Sequence, residues 1–167
     1  MVTSVILLLL GPPAAARVGL AEWEVETPGG HLVSYADPWA EQYGTSLRLR
    51  SAAGNDPGIL VDHVEWWQYY ADHVAGKARD GYFLLHEPTH TVSRHASEAA
   101  LEAALRQRGV GAAVSTRLTP ADGWRQTWQP VLESRCRQLQ TAGPPAGGPS
   151  PSETQAIRGL CRQLGLP

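Results

Sequence analysis

The chain predicts an α+β fold: a small antiparallel sheet of hairpins and a meander with one packed helix, then a C-terminal helical hairpin. Three observations predict it. Short runs alternating apolar and polar residues recur between residues 23 and 95, separated by turns rich in Gly and Pro, as half-buried strands do. Residues 97–109 then switch to a helical period between a Ser and a Gly. Residues 119–167 hold two capped helical segments on either side of a Pro/Gly-rich linker, 142–151.

The elements follow in order. Trp23-Glu24-Val25-Glu26-Thr27 and His31-Leu32-Val33-Ser34-Tyr35 flank Pro28-Gly29-Gly30, a turn that tolerates positive φ, so the pair reads as a hairpin. Asp37-Pro38 starts a short helical turn, with the acid as cap and the proline at the first position. Leu47 to Arg50 alternates as a strand, and Ala52 to Gly58 is a loop. Residues 59–75 are ambiguous: Trp66, Tyr69, Tyr70, His73 and Val74 have helical spacing, yet the β-branched and aromatic content favours strands. Residues 73–95 read as a β-meander, with turns at Asp80-Gly81 and Pro88-Thr89. Ser97 caps a helix whose apolar stripe is Leu101, Ala104 and Leu105, ended by Gly109. Val110 to Val114 is a strand or a loop. Thr119-Pro120-Ala121-Asp122 starts the next helix, which sets Trp124 and Trp128 on one face and meets Pro130, where a kink or restart is expected. Ser152 with Gln155 reads as a capping box for the last helix, ended by Gly165.

Residues 1–21 read as an export signal. Val5 to Leu10 is a compact apolar run, broken by Gly11-Pro12-Pro13 and followed by small-residue cleavage candidates through Ala21. The run is too short to span a bilayer, which takes ~20 apolar residues. No Lys or Arg precedes it, and a buried N-terminal strand is the competing reading. Residues 22–118 would then form the α+β domain and residues 119–167 the helical hairpin. The expected location is secreted or periplasmic. Cys136 and Cys161, the two cysteines, are expected to form one disulfide in such a compartment. They are too few for an all-cysteine zinc site. In a cytosolic protein they would be two buried thiols.

Composition narrows the partners. The net charge is −2 over 167 residues, with 43% hydrophobic and 18% charged residues, which is ordinary globular material. Removing residues 1–21 takes away one cation, Arg17, and no anion, so −2 becomes −3. No basic excess is left to neutralise a phosphate backbone, and nucleic acid is not expected as a partner. No cofactor is expected either, since the chain holds no P-loop, no Gly-rich dinucleotide turn and no G-x-S-x-G.

One segment spells a catalytic motif. His86-Glu87-Pro88-Thr89-His90 fits H-E-x-x-H, in which two histidines on one helical face bind zinc and the glutamate activates water. That geometry needs a helix, and Pro88 sits in its middle with β-type runs on both sides. The segment reads instead as a hairpin turn. His86, His90 and His95 remain candidates for a surface metal site across the hairpin, against the plainer expectation of solvated histidines. Asp62-His63 and Asp72-His73 are neighbours in sequence, expected to supply surface polarity only. Trp66, Trp67, Tyr69 and Tyr70 are the candidate binding residues. In a chain with one Phe, Trp and Tyr must also fill the core. Adjacent Trp66 and Trp67 cannot both face inward on a strand, so one is expected at the surface.

The stretch from His73 to Gly109 resembles the strand–turn–strand–helix unit of many small bacterial proteins, immunity-type proteins among them. It does so through Gly81-Tyr82-Phe83-Leu84-Leu85, an acidic residue, a turn, a strand and a Ser-capped helix. These marks are generic and carry no site residue over. The functional expectation is an exported, non-enzymatic protein that binds another macromolecule, with a protein as partner. The rivals are a metal-dependent hydrolase built on His86, Glu87 and His90, and a small-ligand binder using the Trp/Tyr cluster.

Overall fold

The computed structural model describes residues 21–36, 40–50, 58–141 and 150–166. The expected signal segment, the Asp37-Pro38 turn, most of the 52–58 loop and linker residues 142–149 lie outside them. The described residues divide into two compact units, Glu22–Gly123 and the residues from Trp124 onward.

The first unit is α+β, with two four-stranded antiparallel sheets in place of one. The first sheet has the order β1 (Trp23–Glu26), β2 (Leu32–Tyr35), β3 (Ser46–Arg48), β4 (Ile59–Val61). A one-turn helix, α1 (Ala40–Tyr43), joins β2 to β3. In β1, Trp23 and Val25 point into the core while Glu24 and Glu26 are exposed, the alternation that identified the strand. The second sheet has the order β5 (Val64–Tyr69), β6 (His73–Ala78), β7 (Gly81–His86), β8 (Thr91–His95). The ambiguous stretch 59–75 is therefore strand at 59–61, 64–69 and 73–75, with turns between. Its aromatic spacing would fit a helix, but β5 is held on both edges. It pairs with β6, and its other side receives residues 114–118, through Val114 N–H to Tyr69 O (2.9 Å) and the reciprocal bonds of Trp67 and Leu118.

Both faces of this second sheet are covered. On one, α2 (Glu98–Gln107) seats Leu101 against Ala75 and Leu84, with Trp66, Tyr70, Tyr82, Ala104 and Leu105 around them. Ser97 caps α2 by accepting Ala100 N–H, and Gly109 follows it at φ 65°. On the other face, Trp67 is wholly buried and stacks on Trp23 of the first sheet at 6.2 Å. Gly76 makes this packing fit: a Cβ there would lie 2.4 Å from the Trp66 carbonyl oxygen and 2.6 Å from the Phe83 ring.

The second unit is a helical pair, whose first helix begins four residues before the unit does. Helix α3 (Pro120–Thr141) runs unbroken through Pro130, so the expected restart does not occur. Pro130 and Gln126 are both exposed, so the intrahelical bond that a proline cannot donate is lost at the surface and not in the interior. Helix α4 (Pro151–Gln163) begins earlier than expected. The capping box is Ser150 with Glu153, not Ser152 with Gln155: Ser150 Oγ accepts Glu153 N–H at 3.3 Å and Glu153 Oε2 accepts Ser150 N–H at 2.7 Å. Pro151 is suited to the first helical position, and a carboxylate gains more than an amide from the helix N-terminus. Leu132 and Leu160 form the buried centre, with Trp124, Trp128, Leu164 and Leu166 packed on them. Cys136 and Cys161 are disulfide-bonded, with Cα atoms 5.9 Å apart. Among the described residues no helix is long and apolar enough to cross a membrane.

Candidate functional site

Three turns of the first unit carry its densest polar chemistry: β1–β2, β5–β6 and β7–β8. The H-E-x-x-H segment lies in the last of these. His86 ends β7, Glu87–Thr89 form a single 3-10 turn, and His90 adopts the left-handed conformation at φ 55°. The segment is not an α-helix, so His86 and His90 do not share a helical face.

Glu87 is the centre of the cluster. Its side chain is 1% exposed, and a carboxyl group so deeply buried needs hydrogen-bond partners for both oxygens. The β1–β2 turn supplies them. Thr27 Oγ1 donates to Oε1, Gly29 N–H donates to Oε2 at 3.0 Å, and His31 Nδ1 lies 3.2 Å from Oε1. Thr27 Oγ1 in turn accepts His31 N–H at 2.9 Å, which leaves its own proton free for Glu87. Gly29 is required by closeness: a Cβ there would sit 2.6 Å from Glu87 Cβ and Cδ. The Glu87 N–H reaches the third turn, donating to Asp72 O at 3.0 Å. His31, itself buried, continues the chain, with Nε2 2.9 Å from Nδ1 of exposed His90. A buried carboxylate thus leads through one buried imidazole to a surface imidazole.

A second chain lies beside it. His73 and His86 face each other across β6 and β7 with ring centroids 4.8 Å apart. Asp72 Oδ1 is 2.6 Å from His73 Nδ1. That hydrogen bond, helped by the charges of His73 and His86, holds the Asp72 carboxyl below its ordinary range against a smaller opposing effect of burial. His86 Nδ1 is 2.7 Å from Thr89 Oγ1. Asp72-His73 is thus a bonded pair with a buried imidazole, not only surface polarity. Asp62 and His63 also approach, at 3.4 Å.

No family model, curated protein or solved structure matches the chain.

The sequence-derived candidates fare differently from one another. His86 and His90 both reach this end of the unit, in different chains of contacts. His95 stands apart, with Nε2 3.1 Å from Ser93 Oγ; burial, then the charge of Arg108, holds it below its ordinary range. Among the described residues no group of three or more His, Cys, Asp and Glu side chains is placed to hold a metal ion. Of the three histidines expected to be solvated, His90 is exposed and His86 half-buried, and each also has a polar side-chain partner.

The aromatic candidates are packed. Trp67 is core, and its indole N–H donates to Tyr69 Oη at 2.9 Å. Burial pushes the Tyr69 phenol up from its ordinary range. Trp66 is half-buried, with Tyr82 against its edge and the Arg117 guanidinium 4.2 Å above its ring. Tyr70 packs in the α2 cluster. Sequence reasoning missed Thr27, Gly29 and His31. Their link to Glu87 joins two turns about 60 residues apart, and no periodicity marks such a contact.

Proposed function

We propose that this chain is an exported, non-enzymatic protein that binds another macromolecule, a protein, in the cell envelope or outside the cell. The observation that carries the reading is the stapling of the three turns by Glu87. Pro88, Thr89, His90 and Asp72 are exposed on a floor whose buried polar groups satisfy one another, so the turns form one fixed polar face. A face ordered in advance spares a partner the entropy of ordering it. The Cys136–Cys161 disulfide supports an oxidising compartment. The packed Trp/Tyr cluster moves the candidate contact surface from the aromatics to this polar end. The hydrolase reading gains no support from a segment 86–90 that is strand end, 3-10 turn and left-handed residue.

The test places a photoreactive side chain at exposed Thr89 and, as control, at exposed Gln107 of α2, in protein expressed in its native host. The expected result is mature protein beginning near Glu22, recovered outside the cytoplasm, and one discrete protein adduct from position 89 that position 107 does not give. A cytoplasmic protein retaining Met1 with two free thiols would sink the export half. Equal labelling from both positions, or none, would sink the binding half.

A further inference from the structure

We infer that the outer edge of β8 takes an extended, acidic segment of a partner protein as an added strand. The inference rests on the reading that the partner is a protein, and it names the part of that partner that is held.

The free edge follows from the direction of the hydrogen bonds across the second sheet. In an antiparallel sheet successive residues aim their N–H and C=O groups alternately at one neighbouring strand and the other. Tyr70 N–H donates to His73 O at 2.9 Å, so His73 and Ala75 of β6 face β5, while Val74 and Gly76 face β7. Their partners Leu85 and Phe83 face back to β6, which leaves Tyr82, Leu84 and His86 for β8. Opposite these stand His95, Ser93 and Thr91, whose backbone groups are spent on β7. The N–H and C=O groups of Val92 and Arg94 therefore point away from the sheet. Among the described residues no backbone hydrogen bond reaches them.

Sheet edges are commonly blunted by a bulge or a proline. Strand β8 has neither: its five residues pair with β7 without a register shift. The opposite edge of the same sheet is closed, because residues 114–118 run along β5. One edge is covered and the other is open, and the chemistry an open edge recognises is an extended backbone.

Charge selects the occupant. Strand β8 contains no acidic residue. Arg94 is exposed and has no ion pair among the described residues. Arg108 reaches the same strand, donating to Ser93 Oγ at 3.3 Å. A second copy of β8 brings only more positive charge, whereas a carboxylate set opposite Arg94 makes a favourable cross-strand pair. Val92 and Arg94 lie on one face of β8, so the segment carries its acid and an apolar residue two positions apart. The strand leaves directly from exposed Pro88, Thr89 and His90, so this edge continues the polar face.

The experiment uses the full chain with its disulfide intact. The probe is a short capped peptide of alternating Thr and Val with one Asp, at millimolar concentration. Its controls carry Lys in place of Asp, or N-methylated amides. Amide exchange is followed by NMR. In the free protein Val92 and Arg94 exchange faster than Thr91, Ser93 and His95. The Asp peptide slows exchange at Val92 and Arg94 by about tenfold or more, the Lys peptide does so less, and the N-methylated peptide does not. Arg94→Glu reverses the order of the Asp and Lys peptides. Val92→Pro removes an outward donor and no bond to β7, so it weakens binding in a folded protein; if that variant does not fold, the N-methylated peptide makes the same test on the wild type. The proposal is overturned if the Asp peptide protects neither amide, if the N-methylated peptide protects them equally, or if both are already protected in the free protein. Protection that grows with protein concentration and no peptide makes a second copy the occupant, and overturns it too. A failed adduct at position 89 with the edge amides protected by peptide sinks only the earlier reading; a discrete adduct there with those amides unprotected sinks only this one.

Discussion

Reducing the Cys136–Cys161 bridge should unfold the helical pair locally and leave the sheets intact. The magnitude follows from the loop it closes. The cysteines are 25 residues apart, and the chain-entropy relation gives about 3.5 kcal/mol for a loop of that size. The 13 residues of α4 are at the limit of what stays helical alone in water. Among the described residues, Leu132 and Leu160 are the buried apolar side chains at the centre of the pair, worth about 1.5–3 kcal/mol each. The bridge is therefore comparable to the whole buried apolar centre. Amide exchange of the intact and reduced protein, and of Cys136→Ser/Cys161→Ser, reads this directly. About 3.5 kcal/mol corresponds to a several-hundred-fold faster exchange of α4 amides, while β6 and β7 amides, in a separate compact unit, should keep their rates. A change below tenfold in α4 would refute the reasoning. An equal loss in β7 would refute it too, because the two units would then be unfolding as one.

Three further predictions use the first unit. Gly76→Ala should lose roughly 1–3 kcal/mol in denaturant unfolding, since the added Cβ meets the Trp66 carbonyl at 2.4 Å, and a backbone atom cannot rotate away; an unchanged midpoint would contradict this packing. Trp67→Ala removes a wholly buried ring stacked on Trp23 and should cost about 3–5 kcal/mol, read by the same assay and by loss of near-UV dichroism. Asp72→Asn should matter by pH: the folded carboxyl titrates below its ordinary range, so its stabilisation is present above the unfolded value of about 3.9 and is lost as pH falls through the folded value. The gap between wild type and Asp72→Asn in urea unfolding should therefore be widest near neutrality and close in acid; a gap that widens in acid would reverse the sign.

Much of the fold was legible because local rules decided it. The β1–β2 hairpin follows from alternation around Pro28-Gly29-Gly30, and α2 from Ser97, its stripe and Gly109. The disulfide was legible from two capped helices joined by a short linker. Elsewhere a competing cause won. Residues 64–69 satisfy both helix and strand periods, and the choice was made by pairing with β6 and with residues 114–118, which no window around β5 contains. The last capping box was misplaced by two residues because Ser-x-x-Gln and Ser-x-x-Glu both occur there, and Pro151 with the charged Glu153 favours the earlier start.

The polar end was the least legible part, and the reason is physical. The sequence was searched for residues acting on a ligand at fixed spacing, and H-E-x-x-H matched that search. The motif's glutamate is instead spent on its own fold. Glu87 follows buried Leu85 by two residues, just past the end of β7, and is itself buried, and once buried it must find donors. Strand N–H groups are already committed to their ladders, so free donors occur where ladders end, at turns. Pro28-Gly29-Gly30 is such a place: Gly29 offers an N–H with no side chain in the way, and Thr27 and His31 flank it with a hydroxyl and an imidazole. Nothing in the local sequence around Glu87 marks its burial or names this turn as its partner. Only the packing of the two sheets, with Trp23 stacked on Trp67, brings that turn within 3 Å of the carboxylate.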